Sequence, residues 1–205
     1  MINSKYVYIV DDDISIRFLL CELLSSEGYV TSTYESAESL VAQRDFKSPG
    51  VIILDMKLPG LSGIELQQKL LSIGISKPII FVSGNSQHQE IIDAMKQGAF
   101  DFIFKPFDIN DLLSAVRRAI DYDRNNYIVK ERVLKLKKSL IALTIREKDI
   151  LRYLVQGYAN REISSMTGIQ PGTVKKHKSS ILQKMNVVNV ADLIKLFKDI
   201  DIDLF

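Results

Sequence analysis

Several polar side chains that could carry out chemistry follow apolar, strand-like runs in the first half of the chain. They are Asp11, Asp12 and Asp13 after the first run, Asp55 after a later one, and then Ser83 and Lys105. Two carboxylates about 4 Å apart repel by roughly 4 kcal/mol at an effective dielectric near 20, so a cluster needs raised pKa values or a cation. Oxygen-only ligands favour Mg²⁺, and a carboxylate beside this ion can attack phosphorus. The Ser83 hydroxyl and the Lys105 ammonium both suit a bound phosphoryl group.

The elements that would position these residues alternate between β-branched runs and amphipathic stretches. The runs predict five strands, at Tyr6–Val10, Tyr29–Thr33, Val51–Leu54, Ile79–Val82 and Phe102–Phe104. Apolar spacing of three and four residues predicts five helices, at Ile14–Glu27, Ser36–Phe46, Ser62–Ile73, Gln87–Gln97 and Asp108–Ile120. Strands this apolar are covered on both faces. The expected fold is therefore α/β, with a doubly wound parallel sheet and a site at the carboxyl ends of its strands.

Residues 121–140 are rich in charged side chains and contain neither Pro nor Gly, which predicts that the fifth helix continues as a helical linker. Apolar residues recur there every seven positions, at Leu113, Ile120, Tyr127, Leu134 and Ile141. The second apolar position of each heptad is instead charged, at Asp123, Lys130 and Lys137. A dimeric coiled coil and packing against the chain's own domains both stay open.

From Thr144 onward the pattern predicts four short helices in a small all-α domain. Thr144 and Glu147 have the spacing of a capping box, and Asn160 is a candidate N-cap. A helix beginning at Pro171 would carry a polar, cationic face, as in the second helix of a helix-turn-helix that enters the major groove. The candidate DNA-binding residues are Thr173, Lys175, Lys176, Ser179 and Gln183 on this helix, with Arg161, Lys178 and Lys184 at the flanks for phosphates.

The charge of the chain is uneven, although the formal net charge of its 205 residues is only +2. Residues 1–120 hold 11 Lys and Arg against 15 Asp and Glu, residues 121–140 hold 6 against 3, and residues 141–198 hold 10 against 4. An acidic front and a basic back predict two domains with different partners. No apolar run approaches the roughly 20 residues of a membrane helix, and the N-terminus lacks a secretory pattern. We therefore expect a cytoplasmic protein without a membrane partner.

The motifs of the first half resemble the receiver domain of two-component response regulators, over about residues 4–122. They are Val10 to Asp13, Asp55 to Gly63, Ser83-Gly84 and Lys105-Pro106-Phe107. The resemblance implies that Asp55 is the phosphoacceptor. It also implies that Asp12, Asp55 and the Lys57 carbonyl ligate Mg²⁺, with Asp11 acting largely through bound water. Lys105–Pro106 is expected to be a cis peptide, and Ser83 and Phe102 are expected to rearrange as a switch.

The motifs of the second half resemble the LuxR-type output domain. They are Leu143 to Glu147, Gly157, Asn160 to Ile163, Thr173 to His177 and Lys184 to Val187. Together the halves resemble the FixJ and NarL class of response regulators, with a receiver at 1–122, a helical linker at 123–141 and a helix-turn-helix domain at 142–205. Gln170 departs from the usual small hydroxyl cap, which should weaken the recognition helix by about 1 kcal/mol.

The resemblance implies a transcription regulator rather than an enzyme. A sensor histidine kinase would phosphorylate Asp55 and thereby control dimerisation and sequence-specific binding to double-stranded DNA, with RNA polymerase as a further partner. Two alternatives remain. Asp11 and Asp13 are spaced like the nucleophile and acid of an aspartate-based phosphatase, which the position of Asp55 disfavours. A constitutive DNA-binding protein is disfavoured because the set of site residues is complete.

Overall fold

Two units make up the chain in the computed structural model, which describes residues 4–43, 45–84 and 86–198. The first unit is Met1–Tyr127 and the second is Ile128–Phe205. The boundary falls within a helix, so each unit takes part of the predicted linker.

The first unit is built on a five-stranded parallel sheet. Its strands are β1 (Tyr6–Val10), β2 (Val30–Tyr34), β3 (Gly50–Asp55), β4 (Ile79–Ser83) and β5 (Asp101–Phe104), in the spatial order β2-β1-β3-β4-β5. The order reverses between β1 and β3, so their carboxyl ends form the crevice where ligands bind in doubly wound sheets. The predicted α/β fold is confirmed.

Helices cover both faces of this sheet, as the apolar strands require. They are α1 (Ile14–Ser26), α2 (Ala37–Val41), α3 (Gly63–Ser72), α4 (His88–Lys96) and α5 (Ile109–Ile141). On β1, Val7 and Ile9 pack in the core that includes α1 and α5 residues, whereas Tyr8 and Val10 pack in the core that includes α2 and α3 residues. The two-residue period of a strand thus supplies both cores.

Helix α2 is shorter than the sequence predicts. It ends at Val41, whereas the predicted helix ran to Phe46. The aromatic ring of Phe46 packs instead on Tyr8, with ring centroids 5.0 Å apart. The Tyr8 hydroxyl also accepts a hydrogen bond from the Lys47 N–H at 2.7 Å. These contacts with β1 draw the chain away from the helical path, and a local pattern does not contain them.

Helix α5 runs for 33 residues, so the predicted continuation into the linker is confirmed. Its last turns contribute Val133, Leu136 and Leu140 to the core of the second unit. Of the apolar residues that recur every seven positions, in contrast, Leu134 and Ile141 are 54% and 78% exposed. The coiled coil stays a prediction. Within the described segments, no helix is long and apolar enough to cross a membrane.

A buried charge holds the start of the linker to the first unit. The Asp123 carboxylate accepts hydrogen bonds from the Gly50 N–H at 2.8 Å and from the Lys77 ammonium at 2.7 Å. Both side chains of this ion pair are only 8% exposed. In the sequence, Asp123 stands out only as a charged residue at a position where a heptad would be apolar, so this buried ion pair was missed.

The second unit is a helical bundle of α6 (Ile145–Val155), α7 (Asn160–Thr167), α8 (Pro171–Lys184) and α9 (Val190–Lys198). The capping box of Thr144 and Glu147 is confirmed. The prediction of Asn160 as an N-cap was wrong, because Ala159 stands there and its N–H donates to the Glu162 carboxylate at 2.7 Å. Gly168 ends α7 with a positive φ of 68°, which turns the chain toward α8.

Candidate phosphorylation site and nucleic-acid interface

Three carboxylates meet at the carboxyl edge of the sheet. Asp11 and Asp12 follow β1 and Asp55 ends β3, and these two strands pair in parallel with Val10 opposite Leu54. One carboxylate oxygen from each of the three lies within 4.8 Å of the others. Asp11 is buried, Asp55 is partly buried and Asp12 is exposed, so the cluster opens to solvent on one side. The convergence expected from the sequence is therefore present.

Lys105 bridges two of these carboxylates. Its ammonium lies 2.6 Å from Asp11 Oδ2 and 2.7 Å from Asp55 Oδ2. Burial acts to lower the pKa of Lys105, but the hydrogen bonds to Asp11 and Asp55 outweigh burial and raise it. Burial raises the pKa of Asp11, although the hydrogen bond from Lys105 opposes this. With all groups ionised, three carboxylates and one ammonium leave an excess of two negative charges, which a divalent cation would balance.

The loop after β1 is held by its own backbone and by one arginine. The Asp13 N–H donates to Asp11 Oδ1 at 2.9 Å, and the Arg17 guanidinium donates to the carbonyls of Asp11 and Asp12 at 2.7 and 2.9 Å. Asp13 is the N-cap of α1, where its carboxylate accepts the Ser15 N–H at 2.7 Å and this bond lowers the pKa of Asp13. The sequence missed this capping role, although an Asp directly before an apolar helix is a signal for it.

The other predicted pocket residues come from β4 and β5. Ser83 ends β4, is 2% exposed and accepts a hydrogen bond on Oγ from the Ser86 hydroxyl at 2.8 Å. Phe102, on β5, is half-buried and packs edge to face on Phe104, with centroids 4.9 Å apart. The Lys57 N–H donates to Asp55 Oδ1 at 2.9 Å. The Lys105–Pro106 peptide is cis, as the receiver resemblance implied.

Helix α8 presents the polar face predicted for DNA. Val174, Ile181 and Met185 are buried in the core of the second unit. The exposed residues of the candidate set are Thr173, Lys175, Lys176, Ser179 and Gln183, with Arg161 exposed on α7 and Lys178 half-exposed on α8. Pro171 occupies the first helical turn, and Gln170 makes no side-chain capping bond, as expected.

Comparison with known families matches both units. The response regulator receiver domain matches residues 7–117, and the bacterial regulatory proteins of the luxR family match residues 142–197. The chain belongs to the response regulator family. It joins a receiver domain to a LuxR-type DNA-binding domain.

Individual relatives of this response regulator span nearly its whole length. It is 35% identical to the response regulator protein TmoT of Ectopseudomonas mendocina, covering 95% of this chain and 88% of that protein. It is 30% identical to the transcriptional regulatory protein FixJ of Rhizobium meliloti, covering 93% of each. Among solved structures, the response regulator StyR is 35% identical, with a TM-score of 0.87 over 96% of this chain and 99% of that one. Full-length FixJ of B. japonicum is 26% identical, with a TM-score of 0.57 over 96% and 97%.

One predicted DNA contact of this response regulator is engaged within the protein. The Lys184 ammonium lies 2.7 Å from Glu147 Oε2, so the structure places it in an ion pair rather than on the phosphate-facing flank. The Ser180 hydroxyl donates to Glu147 Oε1 at 2.6 Å, so Ser180 also faces inward. A helical wheel gives only the angular position of such residues, and the carboxylate that they contact is on another helix.

Glu147 is thus the centre of a polar cluster within the LuxR-type domain. Glu147 is only 4% exposed, and its carboxylate accepts hydrogen bonds from Thr144 as well as from Ser180 and Lys184. Burial would raise the pKa of Glu147, but the bonds from Lys184, Ser180 and Thr144 hold it at about 2. The cluster links α6 to α8, and the sequence had indicated only the capping half of this role.

Proposed function

We propose that Asp55 accepts a phosphoryl group from a sensor histidine kinase and that this modification controls DNA binding by the second unit. The observation that carries the proposal is the arrangement around Asp55. Asp11 and Asp12 flank it, Lys105 contacts it, and the buried Ser83 ends the neighbouring strand. Transcription would then be regulated through sequence-specific binding to double-stranded DNA.

The transfer would form a bond between an Asp55 carboxylate oxygen and phosphorus and break the bond between phosphorus and the donor's imidazole nitrogen, which takes up a proton from solvent. The Lys105 ammonium, which contacts the Asp55 carboxylate, would then form an ion pair with the new phosphoryl oxygens. Ser83 would donate a hydrogen bond to one of these oxygens. Neither residue needs to change its protonation state.

The acidic cluster fits Mg²⁺ because its donors are all carboxylate oxygens and because it carries an excess of negative charge. We assign Asp11, Asp12 and Asp55 to this ion, with the Lys57 carbonyl as a further ligand. When bound, Mg²⁺ would reduce the repulsion between the carboxylates and an incoming anionic phosphoryl group. Without it, Lys105 alone would face three carboxylates and the phosphoryl charge.

The DNA-binding surface that we propose comprises Arg161, Thr173, Lys175, Lys176, Lys178, Ser179 and Gln183. Lys and Gln side chains on α8 can reach base edges, whereas Arg161 and Lys178 suit phosphates. Lys184 would join them only by leaving Glu147.

The domain limits that we propose are 1–122, 123–141 and 142–205. Such a regulator acts in the cytoplasm, where its DNA is, and RNA polymerase is a natural further partner.

Modification would act by shifting a population of receiver conformers, in which Phe102 and Ser83 rearrange. Reversing a 1:99 equilibrium requires roughly 5.5 kcal/mol of differential stabilisation. The contacts of one phosphoryl group with Ser83, Lys105 and Mg²⁺ would have to be unusually strong to supply the whole of this stabilisation. We therefore propose that homodimer formation on phosphorylation or on DNA shares the stabilisation.

Labelled acetyl phosphate tests the assignment of Asp55. The wild-type chain should incorporate label in the presence of Mg²⁺ and lose most of it when the ion is chelated. Asp55→Asn should incorporate none, while its circular dichroism stays that of the wild type. Incorporation into Asp55→Asn at the wild-type level would refute the assignment. A phosphatase that uses Asp13 as its acid has no support, because that carboxylate caps α1.

A further inference from the structure

A hydroxyl outside the predicted site touches the phosphoryl pocket. Ser86 lies between β4 and α4, and its hydroxyl donates a hydrogen bond to Ser83 Oγ at 2.8 Å. Ser83 is buried at the end of β4, whereas Ser86 is half-buried and stands two residues before the first helical residue of α4. The bond therefore joins the pocket to the segment that leads into this helix.

The direction of this bond suits a relay. A serine hydroxyl has one hydrogen to donate and two lone pairs that accept. Because Ser83 accepts from Ser86, its own hydrogen stays available for a phosphoryl oxygen on Asp55. A hydroxyl that accepts a bond is polarised and becomes a better donor, so the two bonds would strengthen each other. A movement of Ser83 toward the phosphoryl group would draw Ser86 with it.

Helix α4 is held mainly at its far end. Ala94, in its last turn, is its only buried residue. The Gln67 amide on α3 donates to the carbonyls of Ala94 and Gln97, at 3.5 and 3.2 Å, at the C-terminal end of α4. Among the described residues, its own Oε1 is buried without a hydrogen-bond partner. At the other end, Gln87 makes no side-chain capping bond, and its N–H donates to the Glu90 carboxylate at 2.7 Å, so this capping contact stays within α4 and does not tie the helix to another element.

We propose that Ser86 is a positioning residue that transmits the movement of Ser83 to the N-terminal end of α4, while Gln67 holds the C-terminal end. This inference rests on the proposed phosphorylation of Asp55. On phosphorylation, the first turn of α4 moves toward the pocket and its last turn stays in place. The exposed side chain of Ile92, which lies before the fixed last turn, is thereby reoriented.

Hydrogen exchange of the full chain, with and without Mg²⁺ and beryllofluoride, tests this role. In the wild type, the exchange rates of amides 86–91 should change at least fivefold on addition of the phosphoryl mimic. Ser86→Ala should reduce this change to less than twofold, and Ser86→Thr, which keeps the hydroxyl, should restore it. Ser72→Ala is the matched control, because it also removes one serine hydrogen bond, to the Lys69 carbonyl, but on α3. It should respond as the wild type does.

Uptake of labelled acetyl phosphate by the same variants separates the two proposals. We expect Ser86→Ala to take up label at about half the wild-type rate, because Ser83 is a weaker donor without its partner. If the wild type takes up label and Ser86→Ala shows the full exchange response at residues 86–91, the relay is wrong and the proposed function stands. If the wild type takes up no label, the proposed function is wrong and the relay falls with it.

Discussion

Replacing Glu147 by Gln tests how far the second unit depends on one buried carboxylate. The variant keeps the size of the side chain and an oxygen that can accept from Thr144, but it removes the charge beside Lys184. The pKa of about 2, against the ordinary 4.5, corresponds to about 3 kcal/mol of stabilisation by the ionised form. Because the Lys184 ammonium can still reach water, we expect Glu147→Gln to cost about 2 to 3 kcal/mol at pH 7.

The pH dependence gives the sign of the effect. A carboxyl whose pKa is lowered by folding stabilises the folded state above its ordinary pKa, and this contribution is lost as pH falls toward the folded value. The difference in unfolding free energy between wild type and Glu147→Gln should therefore be constant from pH 7 to about pH 5. It should shrink as the pH falls from 4.5 toward 2.

Urea titration of the full chain, followed by the amide NMR signals of α6 and α8, measures this difference in the second unit itself. Glu162→Gln is the matched control. Its carboxylate is exposed and accepts one N–H, from Ala159, so its replacement should cost less than about 1 kcal/mol. Equal costs for the two variants at pH 7, or a Glu147→Gln cost that grows with acid, would refute the reasoning.

Three further predictions concern other parts of the molecule. Asp123→Ala removes the carboxylate beside the buried Lys77 ammonium, so it should lower the free energy of unfolding, measured in urea, by about 3 to 5 kcal/mol. A double variant that also has Lys77→Met should recover part of this loss, whereas additive losses would contradict a coupled pair. Gly63→Ala places a Cβ 2.6 Å from the Asp55 carbonyl oxygen, so it should lower the free energy of unfolding by about 1 to 3 kcal/mol and slow phosphate uptake. Stability and uptake equal to those of the wild type would show that the site tolerates this methyl group. Lys175→Ala should reduce the slope of log affinity against log salt by about 0.9 if this residue contacts a phosphate, and should leave it unchanged if it contacts only bases.

The pocket could be predicted because its residues are local to strand ends. Asp55, Ser83 and Lys105 each follow an apolar run, and the rule that parallel strands end at one edge brings them together. The helical continuation through the linker could also be predicted, since it depends only on the absence of Pro and Gly. These features need the identity of a residue and its position within one element.

What could not be predicted depends on contacts between distant segments. Asp123 accepts from the Gly50 N–H, 73 residues away, and Glu147 accepts from Lys184, 37 residues away. A charged residue in a polar stretch gives no local sign of burial. The early end of α2 has the same origin, because Phe46 packs on a ring of β1. The wrong prediction of Asn160 as an N-cap has a local cause. The N-cap of α7 is Ala159, which has no capping side chain, and its N–H donates to the Glu162 carboxylate instead.

The most direct test of the account is the affinity of the full chain for a DNA duplex selected from a random-sequence library, measured by fluorescence anisotropy before and after treatment with acetyl phosphate and Mg²⁺. Treatment should tighten DNA binding by the wild type at least tenfold and leave the affinity of Asp55→Asn unchanged. Equal affinity of the treated and untreated wild type, with label on Asp55, would contradict the claim that this carboxylate controls DNA binding.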